Sequence, residues 1–136
     1  MMNKAEAVEL LTRMYQDIVI EMNTDKIPHY FKEEYIQITD GVRSDRAELI
    51  RHIATLRELV ESLTLSPFQD MLFDQSSQTA ALRYTVEIVK KNGSRGQVEL
   101  IAIYELDGPQ IVRCHELSRP LGNQEEFQEI ASVRHS

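Results

Sequence analysis

Residues 79–117 read TAALRYTVEIVKKNGSRGQVELIAIYELDGPQIVRCHEL. Three runs rich in β-branched and aromatic residues are separated there by Asn92-Gly93 and by Asp107-Gly108. Such runs, bounded by turn dipeptides, predict strands joined by hairpins. The predicted strands are 79–90, 97–106 and 111–117. A fourth, 68–74, comes before them, because the apolar period changes to two after Ser66-Pro67. Together they predict an antiparallel meander of strands long enough to curl, with bulges.

Toward the N-terminus the period is helical. Val8, Leu11, Met14, Tyr15, Ile18 and Met22 recur at three- and four-residue spacing and predict a helix over 3–22. Asn23-Thr24-Asp25 breaks it, and 26–31 reads as a short helical turn holding Pro28. The β-rich YIQIT at 35–39 predicts a strand ended by Asp40-Gly41. A long helix is expected over 45–63, with Leu49, Ile53, Leu56, Val60 and Leu63 as its stripe. Asp45 and Glu48 have capping-box spacing, with Ser44 as the alternative cap. At the other end, Asn123 and Glu126 could cap a short final helix carrying Phe127, Ile130 and Ala131. Helices gathered before a meander predict an α+β fold: one domain over 1–136, with a curved, mostly antiparallel sheet around the helices and a pocket between them.

Composition narrows the function. The 136 residues are 42% hydrophobic and 27% charged, with net charge −7, values of a globular domain with a real core. An acidic surface repels phosphate backbones and anionic membranes, so neither nucleic acid nor membrane is expected as a partner. No apolar run reaches spanning length, and Met1-Met2-Asn3-Lys4-Ala5-Glu6 is not followed by an apolar signal core, so a cytoplasmic location is expected. The single Cys114 forbids an internal disulfide. His29, His52, His115 and His135 are scattered without metal-ligand spacing. Gly93, Gly96 and Gly108 serve turns and precede no helix, so no phosphate loop and no cofactor is expected.

Hairpin register assigns faces. If the loops at Asn92-Gly93 and Gly108 are even, Leu82, Tyr84, Val86 and Ile88 share a face with Glu99, Ile101, Ile103 and Glu105, and with Val112, Cys114, Glu116 and Ser118. That face, apolar at its centre, is expected inward. Arg83, Thr85, Glu87, Val98, Leu100, Ala102, Tyr104, Arg113 and His115 are then expected outward. An inward Glu116 among apolar neighbours has a raised pKa, a partner, or a wet pocket around it, and each marks a candidate site. The half-apolar outer face predicts a homodimer.

Several strings resemble the nuclear transport factor 2-like superfamily, with its SnoaL-like polyketide cyclases, ketosteroid isomerases and limonene epoxide hydrolases. They are Tyr30-Phe31, YIQITDG at 35–41, RSDRAELIRHI at 43–53, AALRY at 80–84 and DGPQIVRCHEL at 107–117. The resemblance covers nearly the whole chain and implies a cystatin-like, cone-shaped half-barrel with an internal pocket, commonly a homodimer. By position, Tyr15 falls where the isomerases hold their oxyanion-hole tyrosine, Thr39 where they hold the general base, and Ile101 where they hold a second acid. Against the epoxide hydrolases, Gln37 and Thr39 take the water-holding tyrosine and asparagine positions. Glu116 takes the water-activating aspartate position, and Tyr84 and Val86 take those of the supporting arginine and aspartate. The histidine of SnoaL-like cyclases falls on Ile38. These departures argue against the isomerase and cyclase chemistries.

The readings that follow, in order, are three. The first is a pocket for a small, mostly apolar molecule, with Tyr15, Gln37, Thr39, Tyr84, Ile101, Cys114 and Glu116 as candidate wall residues. The second is a hydrolase or isomerase with Glu116 as general acid or base. The third is a dimerisation or protein-interaction module.

Overall fold

A computed structural model describes residues 1–122 together with Ile130 and Val133. The final helix expected from Asn123 to Ala131 lies outside the described residues, apart from Ile130. The chain opens with helix α1 (Lys4–Met14), continued by a π-helical segment, Tyr15–Ile20. A 3-10 turn (Thr24–Lys26) and a short α2 (Ile27–Tyr30) lead into β1 (Phe31–Thr39) and β2 (Val42–Asp45). Helix α3 (Arg46–Leu59) follows, then β3 (Val60–Leu65), β4 (Asp70–Asp74), β5 (Thr79–Lys90), β6 (Arg95–Asp107) and β7 (Gln110–Leu121). The seven strands form one sheet in the order β2-β1-β7-β6-β5-β3, with β4 also pairing β5. All pairs are antiparallel except β1 with β7. The helices fill the concave side, giving the α+β cone.

Local chemistry explains most of these elements. The side chain of Asn3 caps α1, and Asp45 caps α3; each forms a reciprocal box with a glutamate three residues on, Glu6 and Glu48. Asp40-Gly41 joins β1 to β2 as a two-residue turn with φ of +50° and +83°, the mirror-image turn that suits strand twist. The π-helical segment adds a residue to its turn: the Glu21 N–H donates to the Gln16 carbonyl at 3.0 Å. It begins at Tyr15, so Met14, Tyr15 and Ile18 are all buried against the sheet.

The structure corrects the sequence reading in three places. The long helix stops at Leu59, and Val60 and Leu63 belong to β3. A register shift between Val60 and Ser62 bulges β3, so two inward side chains stand three residues apart. That spacing imitates a helical stripe. Second, β2 was not anticipated, because Val42-Arg43-Ser44-Asp45 has no apolar alternation and is mostly exposed. Third, β6 is turned over relative to expectation. Val98, Leu100, Ala102 and Tyr104 are buried, whereas Ile101 is 51% exposed and Ile103 43%. Glu99 and Glu105 point outward with them.

The cause of the third correction is in the two hairpins. Gly93 has φ +92°, and its N–H donates to the Lys90 carbonyl, while the Lys90 N–H donates to the Ser94 carbonyl at 2.8 Å. The loop is therefore the odd, three-residue kind, a turn closed by a left-handed glycine, and not a two-residue turn. Tyr84 consequently faces Leu100, and Leu82 faces Ala102. The β6–β7 turn is even, with Asp107 opposite Gln110, but the register then shifts between Leu106 and Glu105. That bulge skips Val112, which is half-buried, while Ile111 is fully buried. The two one-residue offsets cancel. Cys114 and Glu116 return to the inner face, opposite Tyr104 and Ala102.

Candidate functional site

The cone encloses a cavity of about 100 Å³, or about 750 Å³ with its open mouth included. Met14, Ile18, Leu49, Ile53, Leu56 and Val98 give it an apolar wall. Phe31, Tyr35, Tyr84, Tyr104 and Tyr15 supply aromatic surface, and Glu116 supplies the wall's one carboxylate among the described residues.

Glu116 is positioned by the parallel pairing of β1 and β7, which sets Thr39 beside Glu116 and Gln37 beside Cys114. The inward residues of β1 alternate as Tyr35, Gln37 and Thr39. Their side chains form a directed chain. The Tyr35 hydroxyl donates to Gln37 Oε1 at 2.8 Å, Gln37 Nε2 donates to Thr39 Oγ1 at 3.2 Å, and the Thr39 hydroxyl donates to Glu116 Oε1 at 2.9 Å. Successive donors polarise one another toward the carboxylate. Glu116 Oε2 accepts no bond from the described residues, and no buried side-chain polar atom among them is left unpaired. Glu116 is itself a lining residue, so its carboxyl group borders the cavity.

Burial pushes the Glu116 carboxyl up to about 7. The Thr39 hydrogen bond pulls the other way, and the nearby Asp40 carboxylate raises it further. Part of the residue's surface remains accessible, in keeping with an oxygen that faces a wet mouth. Asp40 itself is held at the strand end, accepting hydrogen bonds from the Ser118 N–H at 2.7 Å and from the Ser118 hydroxyl.

A pair of tyrosine hydroxyls also lines the cavity, with Tyr104 opposite Cys114 on the neighbouring strand. The hydroxyls of Tyr15 and Tyr104 are 2.5 Å apart, and the Tyr15 ring packs edge-on against Tyr84 at 4.8 Å and Phe68 at 5.8 Å. Burial raises the proton affinity of Tyr15, Tyr35, Tyr84 and Tyr104, so these phenols act as neutral hydrogen-bonding groups. Burial, and then the Glu116 charge, push the Cys114 thiol up as well. That leaves it a protonated core residue and no thiolate nucleophile.

Of the residues singled out from sequence, Tyr15, Gln37, Tyr84, Cys114 and Glu116 line the cavity. Thr39 stands behind Glu116 and bonds to it. Ile101 does not take part; it sits on the outer face for the register reason given above. Tyr35, Tyr104 and His52 are wall residues that sequence reasoning missed. Tyr35 was within reach, two residues before Gln37 on an alternating strand. Tyr104 was lost with the register of β6. His52 lies on α3 three residues after Leu49, and its Nδ1 contacts the Val133 carbonyl at 2.5 Å. No cluster of metal-ligating side chains occurs among the described residues, and none of their helices is long and apolar enough to cross a membrane.

Comparison with solved structures gives the same architecture. AusH of Aspergillus nidulans superposes with a TM-score of 0.78 at 8% identity, covering 98% of this chain and 99% of that one. A protein from Jannaschia sp. CCS1 described as a SnoaL-like polyketide cyclase gives 0.69 at 12% identity, covering 85% and 86%. An LEH-like epoxide hydrolase of M. tuberculosis gives 0.69 at 11%, covering 85% and 84%. No family model matches the chain, and no curated protein matches it by sequence. Identities this low establish the fold alone. The chain shares the α+β fold of these proteins, the fold that the resemblance implied.

Proposed function

We propose that the cone binds a small, mostly apolar molecule, with Glu116 as its polar anchor. The observation that carries this is the Glu116 carboxyl group in a wall built mostly from aliphatic and aromatic side chains, with Gln37, His52 and Cys114 as its other polar members. Pockets for small ligands have this make-up: much apolar surface and a few converging polar groups, in voids of about 300–1,000 Å³. The enclosed cavity, about 100 Å³, lies below that range, and below the engineered cavity of about 150 Å³ that takes benzene. A short branched group fits inside, and anything as large as a ring extends into the mouth. Screening small-ring fragments by methyl NMR tests the reading. Binders are expected to shift Ile18, Ile53, Leu56 and Val98; a screen in which none of these moves refutes it.

A second reading is favoured by one observation, the Glu116 carboxyl at about 7. A general acid or base works best with its pKa near the operating pH. Glu116 would then exchange a proton through Oε2 with an apolar substrate, in a hydrolysis or an isomerisation. Small epoxides and enolisable ketones are the assay panel. Glu116→Gln is expected to abolish any turnover found; full turnover in that variant excludes the role.

The outer sheet face supports a homodimer. Leu72, Ile101, Ile103 and Leu117 are exposed there, beside a ladder in which Arg83 contacts Asp70 at 2.7 Å and Glu99 at 3.2 Å, and Arg119 contacts Glu99 at 2.8 Å. An apolar strip edged by both charge signs can face its own copy across a two-fold axis. Sedimentation is expected to show a dimer that Ile101→Lys with Leu117→Lys dissociates. A wild-type chain that stays monomeric at high micromolar concentration refutes it.

A further inference from the structure

The charge balance of the cavity narrows the ligand class. Its wall carries Glu116 and, among the described residues, no lysine or arginine. A carboxylate taken out of water without a counter-charge is costly, and a positively charged donor compensates it best. The five aromatic rings of Tyr15, Phe31, Tyr35, Tyr84 and Tyr104 add to this, because ring faces attract cations and desolvation strengthens the attraction. The net charge of −7 favours the approach of cations to the protein over that of anions. A neutral alcohol can bond to Oε2 but leaves the charge unpaired.

We propose that the molecule this cavity takes is a small organic ammonium: a compact alicyclic or branched alkyl group carrying one amine, with its N–H on Glu116 Oε2 and its hydrocarbon against Ile18, Leu56, Val98 and Leu100. This rests on reading the cone as a binding pocket. At about 100 Å³ the inner cavity holds roughly four heavy atoms, scaling from the benzene-sized case, and the rest of the molecule extends into the mouth.

Glu116 is the acidic group of the wall, and the groups that face it come from several elements. Thr39 and Asp40 face it from the end of β1, and Cys114 from its own strand. Tyr15 approaches from the π-helical segment, Tyr84 from β5 and Tyr104 from β6, and His52 lines the same wall from α3. The phenols and the thiol stay protonated around neutrality. Asp40 is committed to Ser118. An alkylammonium keeps its charge at these pH values, as a lysine does. Its affinity is therefore expected to rise as Glu116 ionises and to plateau above that point.

The experiment titrates the full chain with cyclopentylamine and with cyclopentanol, its neutral isostere, at pH 6 and 8.5, by calorimetry and methyl NMR. At pH 8.5 the amine is expected to bind at least tenfold more tightly than the alcohol. Between pH 8.5 and pH 6 the amine is expected to lose several-fold in affinity and the alcohol to change little. Glu116→Gln, checked for folding by circular dichroism, is expected to remove the amine's advantage; the wild-type pH comparison stands without it. An alcohol that matches the amine at pH 8.5, or an amine whose affinity does not change with pH, overturns the ammonium assignment and leaves the pocket standing. If neither probe moves a wall resonance and neutral fragments do, the ammonium assignment alone fails. If no fragment moves one either, the pocket reading fails with it.

Discussion

Glu116→Gln makes the sharpest test of the site, because it is expected to stabilise the fold, and only at neutral and alkaline pH. The carboxyl ordinarily titrates at 4.5 and is pushed to about 7 in the folded protein. Below 4.5 it is protonated in both the folded and unfolded chains and costs nothing. Between 4.5 and about 7 the unfolded chain releases the proton and the folded chain retains it, so this group makes stability fall as pH rises. Above 7 both states are ionised and the whole cost remains. At about 1.4 kcal/mol per pKa unit, the interval corresponds to about 3 kcal/mol. Water reaching Oε2 through the mouth screens part of it, so about 2 kcal/mol is the expected gain at pH 8.5. Glutamine never ionises, and its carbonyl oxygen can still accept the Thr39 hydrogen bond. The assay is urea unfolding of both proteins from pH 4.5 to 8.5, reading the difference at each pH so that effects common to both cancel. The gain should be small at pH 4.5, grow between 4.5 and about 7 and level off above that. A difference that does not change with pH, or a variant less stable at pH 8.5, would falsify the claim that an ionisable Oε2 faces a poorly solvated cavity.

Three further outcomes follow from the same geometry. Thr39→Val removes the hydrogen bond that lowers the Glu116 pKa, so carboxyl-carbon NMR should find the group titrating above its wild-type value; Thr39→Ser keeps the donor and should leave it nearly unchanged. Leu100→Ala should cost about 2–5 kcal/mol in chemical unfolding, whereas Ile101→Ser, one residue along but 51% exposed, should stay within about 0.5 kcal/mol; equal costs would mean that β6 has the opposite register. Tyr104→Phe leaves the Tyr15 hydroxyl without its 2.5 Å partner and should lower stability by about 1–3 kcal/mol, measured by the same unfolding curves.

Elements whose signals are local were readable from residues alone. The capping box at Asp45, the end of β1 at Asp40-Gly41 and the bounds of β5 follow from short-range hydrogen bonding and from side-chain period. Most of the candidate wall was readable too: Tyr15 from a helical stripe and the family resemblance, Gln37 and Thr39 from that resemblance, and Glu116 from alternation on β7. Glu116 was placed correctly by an argument with two errors. The odd loop at Gly93 and the bulge beside Val112 each moved the register by one residue, in opposite senses. Between them lay β6, and there Ile101 and Tyr104 were exchanged.

The amino-acid sequence by itself determined the N-terminal helix, β1, the core of α3 and the strands β4 to β7, the acidic character and the residue types that can meet in the cone, because propensity, capping and charge depend on neighbours along the chain. Only the tertiary structure decided which face of β6 is buried, that Val60 and Leu63 belong to a bulged strand, and that Thr39 meets Glu116 across a parallel pair. A single bulge or odd turn inverts a whole strand, and such irregularities are fixed by packing between elements distant in sequence, which no local pattern records.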